Sequence, residues 1–236
     1  MQPGKTPYSW THPNFSKPQN KDLVIYELLV RDFLSTHSYL TLIDTLDYLE
    51  ELGINAIELM PPGEFENNES WGYNPSFHMA LDKYYGTPEH FKAFVDSCHG
   101  RGIAVIIDIV FNHAFGQSPM LHLYWDGANN RPAANNPWFN AICPHMPYCW
   151  GYDYNHESQA TQNFMDRVNH YWLDEYHVDG FRFDFTKGFS NNSNNYDNGR
   201  IQLLKRMADT IWSIHPNSYI ILEHWADNNE EKILAD

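Results

Sequence analysis

Apolar residues in this chain follow two habits: short unbroken runs, and longer stretches in which they recur every three or four positions. The runs at 23–30 (LVIYELLV), 54–60 and 103–110 have strand length and little polar alternation, the pattern of strands buried on both faces. Residues 41–52 place Leu42, Leu46 and Leu49 at helical spacing and close on Gly53. Residues 87–100 open on Thr87-Pro88, an N-cap followed by proline at the first helical position, and carry the stripe Phe91, Phe94, Val95, Cys98. Between them, 63–85 predicts a loop. Further on, 158–176 predicts a helix with Phe164, Val168, Tyr171 and Trp172 on one side, 199–215 a helix stopped by Pro216, and 218–223 a fifth strand. Strand and helix in alternation, with buried strands, imply βαβ units, a parallel sheet and right-handed crossovers.

The stretch 178–187 organises the rest. As a strand it sends Phe181, Phe183 and Phe185 to one face and Gly180, Arg182 and Asp184 to the other. An apolar face and an Arg/Asp face suit an α/β barrel, with the rings under the helix layer and the charges pointing inward near the strand's C-terminal end, where such barrels carry their sites. A buried ion pair without chemistry is the plain alternative. The third strand repeats the pattern, with Ile106, Asp108 and Val110 on one face. Residues 112–157 exceed an ordinary βα loop and are rich in Asn, Pro, His and Trp. They predict a small inserted subdomain over the C-terminal face. Residues 1–20, with four prolines, predict an irregular lead-in, leaving 21–236 as the single barrel domain.

Composition narrows the partners. With 15 basic against 30 acidic residues the net charge is −15, which argues against nucleic acid and anionic membranes. Aromatic content of 16%, with 8 Trp and 15 Tyr, suits flat, weakly polar ligands such as sugar rings as well as ordinary cores. No run has the roughly 18 apolar residues of a membrane span, and residues 1–20 hold no apolar signal core. The three cysteines are too few for a disulfide framework; Cys143 and Cys149 are close enough to bridge, Cys98 sits on a helical stripe, and the redox compartment stays open. Despite 13 histidines there is no His-Glu-x-x-His or paired-Cys spacing and no Gly-rich phosphate loop.

The chemistry converges on strand ends. Asp184 and Glu223 close the fourth and fifth strands. Neighbouring strands lie about 4.8 Å apart, so the two carboxyls are expected near the roughly 5–5.5 Å separation of a retaining glycosidase. Arg182 is expected to hold Asp184 ionised, with Asp108 orienting Arg182. His224 and Trp225 beside Glu223 are expected to keep it protonated as an acid.

These residues resemble a family. Asp108-Ile109-Val110-Phe111-Asn112-His113, Gly180-Phe181-Arg182-Phe183-Asp184 and Glu223 are similar to the first three signature regions of the α-amylase family of glycoside hydrolases. The resemblance runs from Leu23 onward in the family's order, with the insertion after strand three in its expected place. It implies a (β/α)8 TIM barrel, here truncated after about five βα units. It further implies Asp184 as nucleophile, Glu223 as acid/base, Tyr73 of Trp71-Gly72-Tyr73 stacking on the sugar, and Asp108, His113 and Arg182 contacting or supporting it. Asn112 matches a residue that ligates structural calcium in many members, with Asp153 and the Gly188 carbonyl as companions; such an oxygen set suits Ca2+. No organic cofactor is implied.

Three departures stand out. The second region often ends Lys-His, where this chain has Lys187-Gly188, which bears on the leaving-group side and on the calcium ligands alike. The fourth region, with its third carboxylate, is missing before Asp236. Five strands cannot close the barrel, so the chain reads as a fragment, expected to be inactive alone. The implied activity is retaining hydrolysis of α-1,4-glucans such as starch or glycogen. A branching enzyme or glucanotransferase of the same family is the alternative, and a non-catalytic carbohydrate-binding or scaffold barrel the alternative of another class. The resemblance implies a secreted or periplasmic protein, although the chain shows no signal peptide; the oligomeric state is unknown.

Overall fold

In the computed structural model, which describes residues 7–235, the five apolar runs pair side by side in chain order. They form one parallel sheet of β1 (Ile25–Leu28), β2 (Ala56–Leu59), β3 (Ala104–Ile109), β4 (Gly180–Phe183) and β5 (Tyr219–Leu222). Three long helices make the crossovers: α1 (Pro88–His99) between β2 and β3, α2 (Gln159–Tyr176) before β4, and α3 (Asn198–Ile214) before β5. Thr87 caps α1 by accepting the His90 amide at 3.3 Å, and Phe91, Phe94, Val95 and Cys98 of its stripe are fully buried. On β4, Phe181 and Phe183 are buried in the same core. Gly180 lies so close to β5 that an added Cβ would stand 2.3 Å from the Tyr219 carbonyl oxygen, so only glycine fits.

Several expectations are corrected. β1 is not buried on both faces; Ile25 is 39% exposed, because β1 is an edge strand that pairs only with β2. The 41–52 helix is two short ones, Tyr39–Ile43 and Leu46–Glu51. The 63–85 loop contains an antiparallel hairpin, Gly63–Phe65 with Pro75–Leu81. Phe185 leaves the Phe181/Phe183 face: β4 ends at Phe183, and Phe185 turns away with a left-handed φ of 42°. A further helix, α4 (Asn228–Ala235), follows β5.

Of the expected lead-in, residues 1–6 lie outside the described residues, as does Asp236. Residues 7–19 have no helix or strand, yet they are bound down: Thr11 and His12 amides donate to Asp96 at 2.9 Å each, Trp10 stacks on His177, and Lys17 donates to the Asp179 carbonyl at 3.2 Å. The 112–157 segment holds the helix Pro119–Leu123, two short antiparallel pairs, and a disulfide between Cys143 and Cys149. Cys98 is a buried free thiol.

Candidate active site

Strand register decides the geometry. Arg182 pairs in register with Asp108 across β4 and β3, and Phe183 with Leu222 across β4 and β5, so the next residues, Asp184 and Glu223, come level just past the strand ends. The Asp184 amide donates to the Ile109 carbonyl at 3.1 Å and the Glu223 amide to the Phe183 carbonyl at 3.0 Å, which fixes both backbones. One guanidinium then serves three carboxylates. Arg182 Nη1 donates to Asp108 Oδ1 and Oδ2 at 3.1 and 3.0 Å and to Asp184 Oδ1 at 3.1 Å; Nη2 lies 2.9 Å from Glu223 Oε1. Glu223 Oε2 accepts the Phe185 amide at 3.0 Å, and Asp108 Oδ2 accepts the Tyr73 hydroxyl at 2.7 Å. A cleft of about 370 Å³ opens over this cluster, walled by Tyr73, His113, Trp150, Phe185 and Trp225.

One cation among three carboxylates leaves negative charge unbalanced. Burial pushes the Asp108 carboxyl up to about 8 against the pull of Arg182. Burial and the neighbouring Glu223 charge push Asp184 up as well, so Arg182 lowers the Asp184 pKa without restoring the ordinary carboxylate value. That corrects the expectation of an Asp184 held ionised. Burial also raises the Tyr73 hydroxyl, with Asp108 adding to it. The apolar enclosure expected around Glu223 is absent: His224 turns away to Thr186 Oγ1 at 2.9 Å and Glu230 at 2.8 Å, and Trp225 is 56% exposed.

The catalytic domain described as "Alpha amylase, catalytic domain" matches residues 39–152. Malto-oligosyltrehalose trehalohydrolase from Saccharolobus solfataricus is 30% identical over 230 residues, 96% of this chain and 37% of that protein. The 1,4-alpha-glucan branching enzyme of Bacillus caldolyticus is 29% identical over 237 residues, 93% of this chain and 34% of the enzyme. Pullulanase type I from Bacillus subtilis, in complex with maltose, superimposes with a TM-score of 0.76 at 26% identity over 94% of this chain and 34% of that one. The chain belongs to the α-amylase family of glycoside hydrolases. It spans about a third of the length of the curated relatives it matches.

Of the residues that the α-amylase resemblance nominated, Tyr73, Asp108, Arg182, Asp184 and Glu223 meet within hydrogen-bonding reach of one another. His113 borders the cleft, but both ring nitrogens are committed: Nε2 to the Tyr73 carbonyl at 2.9 Å and Nδ1 to Asn112 Nδ2 at 3.1 Å. Burial pushes it down to about 4, so it stands neutral and holds Tyr73 in place. Asn112, Asp153 and Gly188 gather behind it. Asn112 Oδ1 and Asp153 Oδ1 are buried without a hydrogen-bond partner, and an added Cβ on Gly188 would fall 1.7 Å from Asn112 Oδ1. Asp153 Oδ2 accepts from Asn140 at 2.7 Å, and burial pushes its carboxyl up to about 7.

Sequence reasoning missed the second ionic cluster. Arg200, fully buried, grips Glu230 with Nε–Oε1 at 2.6 Å and Nη2–Oε2 at 2.8 Å and donates to the carbonyls of Lys187 and Asn195 at 3.2 Å each. It ties α4 to the loop that follows Asp184. Nothing in the sequence links residues 30 positions apart; the only local sign is a lone arginine near the start of a helix. Also missed were the rings around Phe185, since β-alternation placed that residue on the opposite face.

Proposed function

We propose that this family member cleaves α-linked glucans with retention at the anomeric carbon, Asp184 acting as nucleophile and Glu223 as acid/base. The observation that carries the reading is the pair of carboxyls on the two terminal nitrogens of one guanidinium. That closeness fits double displacement, at roughly 5–5.5 Å between carboxyls, and not the wider gap that admits a water. Asp184 attacks the anomeric carbon while Glu223 passes its proton to the departing glycosidic oxygen. The glycosyl–Asp184 ester then yields to a water whose proton returns to Glu223. Arg182 orients Asp184, Asp108 orients Arg182, and Tyr73, held by Asp108 and backed by His113, offers its ring to the sugar being cleaved. The names of the trehalohydrolase, branching-enzyme and pullulanase relatives support an α-glucan substrate. In the whole protein we read the five-stranded sheet as part of a (β/α)8 barrel, with 112–157 as an insertion over its C-terminal face.

We further propose that Asn112, Asp153 and the Gly188 carbonyl can hold a structural Ca2+. The two unpartnered buried oxygens and the side-chain-free approach at Gly188 fit a hard cation. Such an ion would pin the 112–157 segment against the strand ends and take no part in bond cleavage.

The experiment is a 2-deoxy-2-fluoro or 5-fluoro glucosyl trap on the full-length protein, read by mass spectrometry. Asp184 should carry the label; label on Asp108 would sink the assignment. Glu223→Gln should lose roughly 10²–10⁴-fold in turnover and lose less on substrates with good leaving groups. Linkage analysis of products from amylose separates hydrolysis from branching, which uses the same two carboxylates with a sugar hydroxyl as acceptor.

A further inference from the structure

At the mouth of the carboxylate cluster, three exposed aromatic rings surround a buried one. Phe185 is 2% exposed, and its ring centroid lies 5.0 Å from Trp150, 5.7 Å from Tyr148 and 5.6 Å from Trp225. Those three remain 42%, 43% and 56% exposed. An aromatic cluster that served packing alone would bury its members; here one ring is the base and three stand open to the cleft. Phe185 and Trp225 both hold left-handed backbone, with φ of 42° and 49°, a conformation costing a side-chain-bearing residue about 1–2 kcal/mol each. These strained positions lie one residue after Asp184 and two after Glu223. Tyr148 and Trp150 come from elsewhere, on either side of Cys149, whose disulfide to Cys143 closes a seven-residue loop.

The rings have a side. Tyr73 and His113 are bonded to one another and, through Tyr73, to Asp108. Phe185 and Trp225 gather instead at Glu223, whose Oε2 accepts the Phe185 amide at 3.0 Å. Glu223 is the group assigned to protonate the departing oxygen, so the open rings lie where the departing sugar sits. A pyranose presents C–H faces to an aromatic ring and hydroxyl edges to water, which suits half-exposed rings. It is also uncharged, so the −15 net charge does not repel it.

We propose that Tyr148, Trp150 and Trp225 form the platform for the glucose unit on the leaving-group side, and that the Cys143–Cys149 disulfide positions the half contributed by the loop. The proposal rests on the glucan-cleaving reading above. It makes the disulfide a determinant of chain binding and leaves the carboxylates untouched.

The test compares two probes on the full-length protein: maltoheptaose, which spans both sides of the cleaved bond, and α-glucosyl fluoride, which places no sugar on the leaving-group side. Trp150→Ala should raise KM for maltoheptaose roughly tenfold, the worth of one good stacking contact, with α-glucosyl fluoride turnover unchanged. Trp150→Tyr, which keeps a ring, should stay near the unmodified protein and so controls for folding. The paired change Cys143→Ser/Cys149→Ser, or reduction with dithiothreitol, should raise the maltoheptaose KM about three- to fivefold, a smaller loss of the same contact. Unchanged KM in Trp150→Ala would overturn the platform, as would an equal loss on both probes. If unmodified protein cleaves neither probe, the glucan reading falls with it; if it cleaves both and the variants behave alike, the platform alone falls.

Discussion

Arg182 and Arg200 are both held by carboxylates, and they face opposite electrostatic problems. Arg200 meets one carboxylate in a two-point grip, and its remaining donors end on carbonyls. Glu230 in turn accepts the Asp197 amide and lies 2.8 Å from His224. Burial works against ionising Glu230, but Arg200, the Asp197 amide and His224 outweigh it and hold the carboxyl below its ordinary range. Arg182 is shared among three carboxylates, two of which burial drives upward. The first cluster is balanced and serves the fold. The second carries surplus negative charge in a site that, on the glycosidase reading, must receive a transition state with oxocarbenium character. Charge left uncompensated without substrate is charge available to that transition state.

The comparison breaks first at Arg200. Arg200→Met leaves Glu230 buried with no cation, a loss of about 3–5 kcal/mol for removing one partner of a buried pair. For a chain of this size that is a fall in melting temperature of roughly 10 °C, read by calorimetry. A melting temperature within about 2 °C of the unmodified protein would mean that Glu230 simply takes up a proton and the cluster is not structural.

This contrast was only half legible in sequence. The Arg182 cluster could be read because strand alternation and register put Arg182, Asp108, Asp184 and Glu223 at one level, and those rules act over a few residues. The α1 stripe was legible for the same reason. Phe185 defeated the alternation, since its backbone leaves the strand one residue after β4 has ended. The Pro75–Leu81 strand inverted the expected pattern, with Phe77 and Met79 exposed while Ser76 and His78 are buried. His78 satisfies its burial through Val110 at 3.0 Å and through the Trp172 indole N–H on its carbonyl at 2.9 Å. The Arg200–Glu230 pair depends on where α3 and α4 meet, which no periodicity encodes. Asn112, Asp153 and Gly188 were visible only through family resemblance, as they share no element and no spacing.

Arg182 should show the opposite profile to Arg200. Arg182→Leu is expected to lower kcat/KM on a glucan by roughly 10²–10³-fold, the cost of removing one fixed charge from a site of this kind. Its melting temperature at pH 5, where the freed carboxyls can take up protons, should change less than that of Arg200→Met. A variant that melts as low as Arg200→Met while keeping most of its activity would reverse the assignment of the two arginines.

The smallest effect is the most specific. Asp184 has a folded pKa pushed up to about 6 from an ordinary 3.8, and its side chain is only 15% exposed. A carboxyl raised on folding binds its proton more tightly in the folded chain, so ionising it costs stability. Below about pH 4 both states are protonated and nothing is lost; between about 4 and 6 the cost grows as pH rises; above 6 it is constant. Two pH units correspond to at most about 3 kcal/mol, and its coupling to Glu223 makes the expected figure about 1–3. Asp184→Asn cannot ionise, so it should be inactive yet more stable than the unmodified protein at pH 7, with the difference vanishing near pH 4. Urea unfolding of both proteins across that range reads it directly. Equal stabilities at pH 7, or an Asn variant less stable there, would show that Arg182 neutralises Asp184 fully, and the surplus charge that separates the two arginine clusters would not exist.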